Sequence, residues 1–78
     1  MPTVIRIGPY RFFFYASDGL EPRHIHVERE DVKAKFWLDP IRLDRSIGLN
    51  GHELNAIHKL IDENIAELRR SWNEYFGS

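Results

Sequence analysis

The sequence contains no cysteine, so neither disulfides nor thiolate metal sites can hold this chain together. No apolar run approaches the length needed to cross a membrane, and the N-terminal residues lack the architecture of a secretory signal. Positive and negative charges are also nearly balanced. The formal net charge is −1, which argues against a general coating of nucleic acid. These absences predict a cytoplasmic protein with no membrane partner.

What the sequence does have is a high apolar content for a short chain. Its 78 residues are 42% hydrophobic and 13% aromatic, which indicates a globular fold and one domain over residues 1–78. A chain of this length buries about 60–65% of the surface that its unfolded form exposes, so its core is thin.

The first half of the chain is patterned as β-strands. Thr3–Ile7 is short and β-branched, and Tyr10–Ala16 is rich in aromatic residues. The Gly-Pro at 8–9 marks a turn between these two strands, and the Asp-Gly at 18–19 marks a turn after the second. Apolar and charged residues alternate at the start of Ile41–Leu49, which predicts a short edge strand.

Two segments between these strands predict a β-hairpin in a single register. Alternation places His24, His26 and Glu28 on one face of a strand, with Ile25 and Val27 on the other. A turn at residues 30–31 sets this strand opposite V-K-A-K-F-W-L. The predicted pairs are His24 with Trp37, His26 with Lys35, Glu28 with Lys33, Ile25 with Phe36 and Val27 with Ala34. Because the turn lacks Asn-Gly, a four-residue loop is preferred to a two-residue one.

The second half of the chain predicts one long amphipathic helix over about residues 51–75. Asn50 is the predicted N-cap, and Glu53 completes a capping-box pattern. Apolar residues recur at steps of three and four: Leu54, Ile57, Ile61, Ile65, Leu68, Trp72 and Phe76. The predicted fold is therefore α+β, with a small antiparallel sheet of three to five strands over residues 3–48. Its helix would be about 37 Å long.

The histidine face of the hairpin is the candidate functional site, and whether it belongs to an enzyme is left open. As an acid–base site, its catalytic residues would be His24, His26 and Glu28, and metal-independent cleavage of RNA is the leading reaction. Its substrate-binding residues would be Arg23, Lys33, Lys35 and Trp37. As a binding module, the same surface would hold nucleic acid or a protein without chemistry. The simplest alternative is a solvated sheet face whose cross-strand pairs only stabilise the hairpin.

A metal site on the same face is an alternative that the sequence does not favour. His24 and His26 could serve as ligands, with Glu28, His52 or His58 completing the set. However, His-x-His alone is a weak signal, and Lys35 opposite His26 would repel a cation. The prediction is therefore no metal and no cofactor.

The sequence contains more aromatic residues than one helix packed on one face of the sheet can cover. The F-F-F-Y run at 12–15 sends rings to both faces, and further rings lie near the end of the helix. We predict that a homodimer or a cognate protein covers part of this surface. The predicted interface residues are Phe13, Tyr15, Trp72, Tyr75 and Phe76. The competing expectation is that strands and loops of the same chain wrap these rings.

Three segments, E-P-R-H-I-H-V-E, A-K-F-W-L-D-P and W-N-E-Y-F, resemble the bacterial family known as domain of unknown function 4160. The resemblance covers nearly the whole chain. The family's two histidines, valine and acidic residue fall on His24, His26, Val27 and Glu28. Departures are Arg23, where a second proline is common, and residues 29–31, where many members carry glycine.

The resemblance implies a toxin of a toxin–antitoxin module, with a protein of the family known as domain of unknown function 2442 as its cognate antitoxin. It implies no reaction. The predicted function is therefore a toxin acting on nucleic acid through the His/Glu/Lys face. The alternative is a non-catalytic regulatory module that binds nucleic acid or protein with that face.

Overall fold

The computed structural model describes residues 3–77, which form a five-stranded antiparallel sheet and two helices. The strands pair in chain order and are β1 (Thr3–Ile7), β2 (Tyr10–Phe13), β3 (His24–Arg29), β4 (Val32–Leu38) and β5 (Ile41–Ile47). A short 3-10 helix, Ala16–Leu20, joins β2 to β3, and α1 (Gly51–Glu63) and α2 (Ile65–Phe76) follow β5. The predicted α+β class is confirmed. Within the described residues, no helix is long and apolar enough to cross a membrane.

The β3–β4 hairpin has the predicted register. His24 pairs with Trp37, His26 with Lys35 and Glu28 with Lys33, while Ile25 pairs with Phe36 and Val27 with Ala34. The predicted four-residue loop is wrong, because Arg29 pairs with Val32 and leaves only Glu30 and Asp31 in the turn. Glu30 takes a positive φ of 52°, which lets two residues close the hairpin without Asn-Gly.

One face of the sheet packs against the two helices and forms the core. As predicted, Ile25 and Val27 are buried there together with Ala34 and Phe36. The rest of this core comes from β2 and the residue after it, from β4 and from the apolar stripe of the helices: Phe12, Phe14, Leu38, Ile57, Ile61, Leu68 and Trp72. Period-two alternation in the strands and steps of three and four in the helices therefore meet in one layer.

The helical half is broken at Asn64, so the prediction of one helix over 51–75 is wrong. Asn64 has φ −118° and ψ 17°, outside the helical range, and its side-chain nitrogen donates to the carbonyl of Leu60 at 2.8 Å. The two helices have 13 and 12 residues, or about 20 and 18 Å each. After the break, α2 packs against the sheet through Leu68 and Trp72, and the Trp72 ring meets Phe14 edge to face.

The first turn of α1 is tied to both its cap and the sheet. The Asn50 side chain accepts from the Glu53 backbone N–H at 2.8 Å, which confirms the predicted N-cap. The Glu53 carboxylate does not return to Asn50 as in a capping box. It accepts instead from the Tyr10 hydroxyl at 2.7 Å and from the Arg29 Nε at 2.8 Å and Nη2 at 3.0 Å. The helix start is thereby anchored to β2 and β3.

Replacing Glu53 with glutamine is expected to remove part of the protein's acid sensitivity. Hydrogen bonds from Arg29 and then Tyr10 hold the pKa of the Glu53 carboxyl below its ordinary value. Such a carboxyl contributes stability that is complete above its unfolded-state pKa and is lost as pH falls through the lower folded-state pKa. Urea midpoints of wild type and Glu53→Gln should therefore differ at neutral pH, and the difference should begin to shrink as the pH falls below about 4.3 and continue to shrink in stronger acid. A difference that persists unchanged in acid would contradict this.

Candidate functional site

The sheet face that the helices leave open collects much of the positive charge of the chain. Cross-strand pairing puts Arg6, Arg11, Glu28 and Lys33 in one row and Phe13, His26, Lys35 and Arg45 in the next. A third row joins His24, Trp37 and Arg42. The result is an open face, defined by these three rows, that carries six of the 11 lysine and arginine residues.

Beside this face, the 3-10 helix brings Asp18 against both histidines of β3. The Asp18 Oδ2 lies 3.0 Å from His26 Nε2, and the Oδ1 lies 3.2 Å from His24 Nε2. Oδ2 also accepts from the Tyr15 backbone N–H at 2.8 Å, which fixes the carboxylate at the start of the turn. The two imidazole rings meet edge to face with 5.1 Å between centroids. We call Asp18, His24 and His26 the histidine–aspartate cluster.

His24 is the deepest member of this cluster, with 0% of its surface exposed. Its Nδ1 lies 2.8 Å from the backbone carbonyl of Pro22, and a carbonyl can only accept, so Nδ1 carries a proton. Its ring packs against Trp37 and Trp72, with centroids 5.5 and 5.1 Å away. The 3.2 Å approach of Nε2 to Asp18 does not have hydrogen-bond geometry, and Nε2 is left without a partner.

His26 is more accessible than His24. Its Nε2–H donates to Asp18, while its ring stacks on Phe13 at 5.4 Å and meets the edge of Tyr15 at 4.7 Å. Burial lowers the pKa of the His26 imidazole below its ordinary value, and the Asp18 carboxylate reverses only part of this effect. His26 also lines a shallow cavity on the open face, so it is the histidine of the pair that a ligand can approach there.

The three residues predicted to be catalytic are not brought together. His24 and His26 lie side by side, but Glu28 lies further along β3, where its Oε1 pairs with Arg11 Nη1 at 2.6 Å. The carboxylate beside the imidazoles is Asp18, which sequence reasoning treated only as part of a turn. Its position before the strand was visible in the sequence, but the pattern held no sign that the 3-10 helix folds back onto β3.

The four residues predicted to bind substrate divide between two places. Lys33, Lys35 and Trp37 lie on the open face, where Lys35 Nζ sits 4.6 Å above the Trp37 ring. Arg23 lies apart from them, paired with Asp39 at 2.7 Å and hydrogen-bonded to Asn73 at the end of α2. Lys35 is buried, and its Nζ is bound to Glu21 at 2.7 Å and near Asp44 at 3.6 Å.

The residues predicted for a partner interface also divide. The chain itself buries Phe13 and Trp72, so the expectation of exposed rings at these two positions is corrected. Phe13 is covered by Arg11, His26 and Tyr15, and Trp72 packs on Phe14 and Phe76. Tyr15 and Tyr75 remain 39% and 47% exposed, and Phe76 is half-buried.

The cavity beside His26 has a volume of about 270 Å³. Three cationic side chains lie around it, and the aromatic ring of Tyr15 forms part of its wall. Its lining consists of Tyr15, His26, Lys33, Ala34, Lys35, Arg45, Ser46 and Ile47. A shallow cationic depression with an exposed ring suits an anionic group attached to a planar base.

The family model described as domain of unknown function (DUF4160) matches residues 10–73, so the chain belongs to this family. The match contains the whole hairpin, the 3-10 helix and most of both helices. No curated protein and no solved structure matches the chain significantly.

Proposed function

We propose that the chain is the cytoplasmic toxin of a two-component module and that it acts by binding single-stranded nucleic acid on the open face of its sheet. The observation that carries this proposal is the concentration of cationic residues on that face. The exposed ones are Arg6, Lys33, Arg42 and Arg45. Arg11 is paired with Glu28, and the buried Lys35 is bound to Glu21.

The open face is positively charged, although the net charge of the whole chain is close to zero. Glu28 is the single carboxylate in the three rows, and it is paired with Arg11. Asp44, at the irregularity in β5, lies near Lys35 and Arg45. The formal net charge of the whole chain is nevertheless −1, so the excess of negative charge lies elsewhere. A local positive surface on such a chain attracts phosphates without making the entire protein basic.

Exposed rings on the open face suit a single strand better than a duplex. Tyr15 is 39% exposed at the cavity, and Trp37 is half-buried two strands away. Single-stranded nucleic acid offers unpaired bases that stack on such rings while its phosphates contact lysine and arginine. Binding is favoured over acid–base cleavage by the predicted trio, because His24 is wholly buried and Glu28 is engaged by Arg11.

A charge-reversal comparison tests this binding surface. The double variant Lys33→Glu, Arg45→Glu should lose at least about tenfold in affinity for a fluorescein-labelled single-stranded RNA at low salt. Each lost phosphate contact should also reduce the slope of log affinity against log salt by about 0.7. Fluorescence anisotropy over a range of salt concentrations measures both quantities.

The matched control makes the same change of charge on the helices. Lys59 and Arg70 are exposed on α1 and α2, and the variant Lys59→Glu, Arg70→Glu should bind RNA within about twofold of wild type, apart from long-range effects that salt screens. Equal losses for the two double variants would show a non-specific charge effect. Absence of RNA binding by the wild type would overturn the proposed function.

The proposed role as a toxin includes a cognate antitoxin that covers the far end of the sheet. Tyr75 is 47% exposed and lines a second cavity, of about 360 Å³, with Thr3, Val4 and Phe14. This cavity is also lined by Ser71 and Glu74, so it combines an exposed aromatic ring with polar groups, as protein interfaces do. Induced expression should slow growth and co-expression of the cognate protein of the family known as domain of unknown function 2442 should restore it, whereas Tyr75→Ala should resist this rescue. Unaffected growth would contradict the toxin assignment without bearing on RNA binding.

A further inference from the structure

In the histidine–aspartate cluster, a carboxylate oxygen and an unprotonated imidazole nitrogen lie close together without a hydrogen bond. A cation between them would stabilise this contact. Nδ1 of His24 is protonated because it faces the Pro22 carbonyl at 2.8 Å. In a neutral imidazole, the other nitrogen then carries a lone pair. That nitrogen, Nε2, is buried without a hydrogen-bond partner and faces the Asp18 Oδ1 at 3.2 Å. Two electron-pair donors therefore face each other in a site that excludes water.

We propose that Asp18, His24 and His26 bind one divalent first-row transition-metal ion, with Zn²⁺ as the representative species. The ligand atoms of the three residues all lie within 4.8 Å of one another. Asp18 oxygens lie 3.2 Å from His24 Nε2 and 3.0 Å from His26 Nε2. Ligands bound tetrahedrally at about 2.0–2.1 Å stand about 3.3 Å apart. The two contacts of Asp18 with the histidines are of this size, although they use different carboxylate oxygens, and the whole set lies within 4.8 Å, so a small inward shift of the side chains brings all three residues onto one ion.

The surroundings of the cluster are those of a metal site. The Nδ1–H of His24 donates to a backbone carbonyl, which is the usual outer partner of a ligating histidine and fixes its ring orientation. Asp18 is held by the Tyr15 N–H, so the carboxylate is oriented as well. Both histidines come from alternate positions of one strand, so the sheet fixes their spacing.

The donor set selects the class of ion. Two imidazoles and one carboxylate suit Zn²⁺, Fe²⁺, Co²⁺ or Ni²⁺, whereas Mg²⁺ and Ca²⁺ prefer oxygen ligands throughout. Three protein ligands leave a coordination position for water or another group, as in sites where the metal remains accessible. His26 is the ligand that lines the cavity of the open face, whereas His24 is buried, so a group in the cavity would reach a bound ion beside His26.

Lys35, opposite His26, was the residue that led the sequence to disfavour a metal. In the structure, the ammonium group of Lys35 is bound to Glu21 at 2.7 Å and lies 3.6 Å from Asp44. These two carboxylates offset part of its charge, so its repulsion of a cation at His26 is reduced.

Metal binding by the full-length, untagged chain tests the proposal. After treatment with a chelator and its removal, isothermal titration with Zn²⁺ should show one ion per chain, and the thermal midpoint should rise with Zn²⁺ but not with Mg²⁺. Co²⁺ should give a visible absorption band on binding. The variants Asp18→Asn and His26→Gln should each weaken Zn²⁺ binding by about 100-fold, since even outer partners of ligands contribute about 10–100-fold.

A control with the same loss of imidazole separates this site from surface histidines. His52 and His58 are exposed on α1, and the variant His52→Gln, His58→Gln should keep the stoichiometry and affinity of wild type. Circular dichroism of each metal-free variant shows whether it is folded, and if Asp18→Asn is not, His26→Gln alone decides. Wild type that binds Zn²⁺ no more tightly than folded His26→Gln, or a control that loses binding equally, would overturn the proposal.

Discussion

Replacing Trp72 with alanine is expected to lower the free energy of unfolding by about 3–5 kcal/mol, the usual loss for a large buried aromatic residue. The Trp72 ring is almost wholly buried and contacts Phe14 at 5.3 Å, Phe76 at 4.3 Å and His24 at 5.1 Å between ring centroids. A domain of this size has a total stability at the low end of about 5–15 kcal/mol, so the variant should be close to unfolding. Urea denaturation followed by tryptophan fluorescence or circular dichroism measures the change.

Tyr75 is the natural comparison, because it lies one turn away on the same helix and is 47% exposed. Tyr75→Ala should cost about 1 kcal/mol or less, although its ring also contacts Phe76 at 4.8 Å. A similar loss for both variants would mean that α2 is not seated against the sheet as the structure shows. A small loss for Trp72→Ala would mean that this ring is exposed and available to a partner after all.

Replacing Asp18 with alanine is expected to destabilise the metal-free protein by about 1–3 kcal/mol, since the loss of two hydrogen bonds to a buried carboxylate outweighs relief of its close approach to His24 Nε2. The carboxylate accepts from the Tyr15 N–H at 2.8 Å and from His26 Nε2 at 3.0 Å. Without it, both donors remain in a largely buried place, and the 3-10 helix loses its tie to β3. Urea denaturation in the presence of a chelator measures this effect separately from metal binding.

Asp62 provides the matched control for Asp18. It is an exposed aspartate on α1, and Asp62→Ala should change stability by no more than about 0.5 kcal/mol. If Asp18→Ala lowered the stability as little as Asp62→Ala, backbone contacts alone would hold the 3-10 helix in place. The histidine–aspartate cluster would then have no part in the fold.

The register of the β3–β4 hairpin was predictable because two independent patterns agreed on it. Ile25 and Val27 are apolar and belong on the buried face of the sheet, whereas His26 and Glu28 are polar and belong on the open face. A shift of one residue in the pairing would have moved every side chain to the opposite face. The length of the turn was not predictable in the same way. It depended on Glu30 adopting a positive φ, which sequence preference assigns to glycine or asparagine.

The break at Asn64 and the role of Asp18 were hidden for two different physical reasons. The apolar stripe runs from Ile61 to Ile65 and Leu68 at helical spacing, so periodicity gives no sign that the backbone between them leaves the helix. Asp18 and His26 are eight positions apart, with the end of the 3-10 helix, a three-residue link and the start of β3 between them. No periodic rule connects positions through a 3-10 turn, and the cluster becomes visible only when that turn packs against the strand.

The division of the helical half at Asn64 has a consequence for how the chain unfolds. Helices of 12 or 13 residues are marginal in water on their own, so α1 and α2 are expected to exist as helices only while docked on the sheet. The sheet, in turn, would expose Phe12, Ile25 and Phe36 to water without them. Neither layer has a stable state apart from the other. If either the helices or the sheet unfolds, the other layer unfolds as well. The protein is therefore expected to unfold in a single cooperative transition.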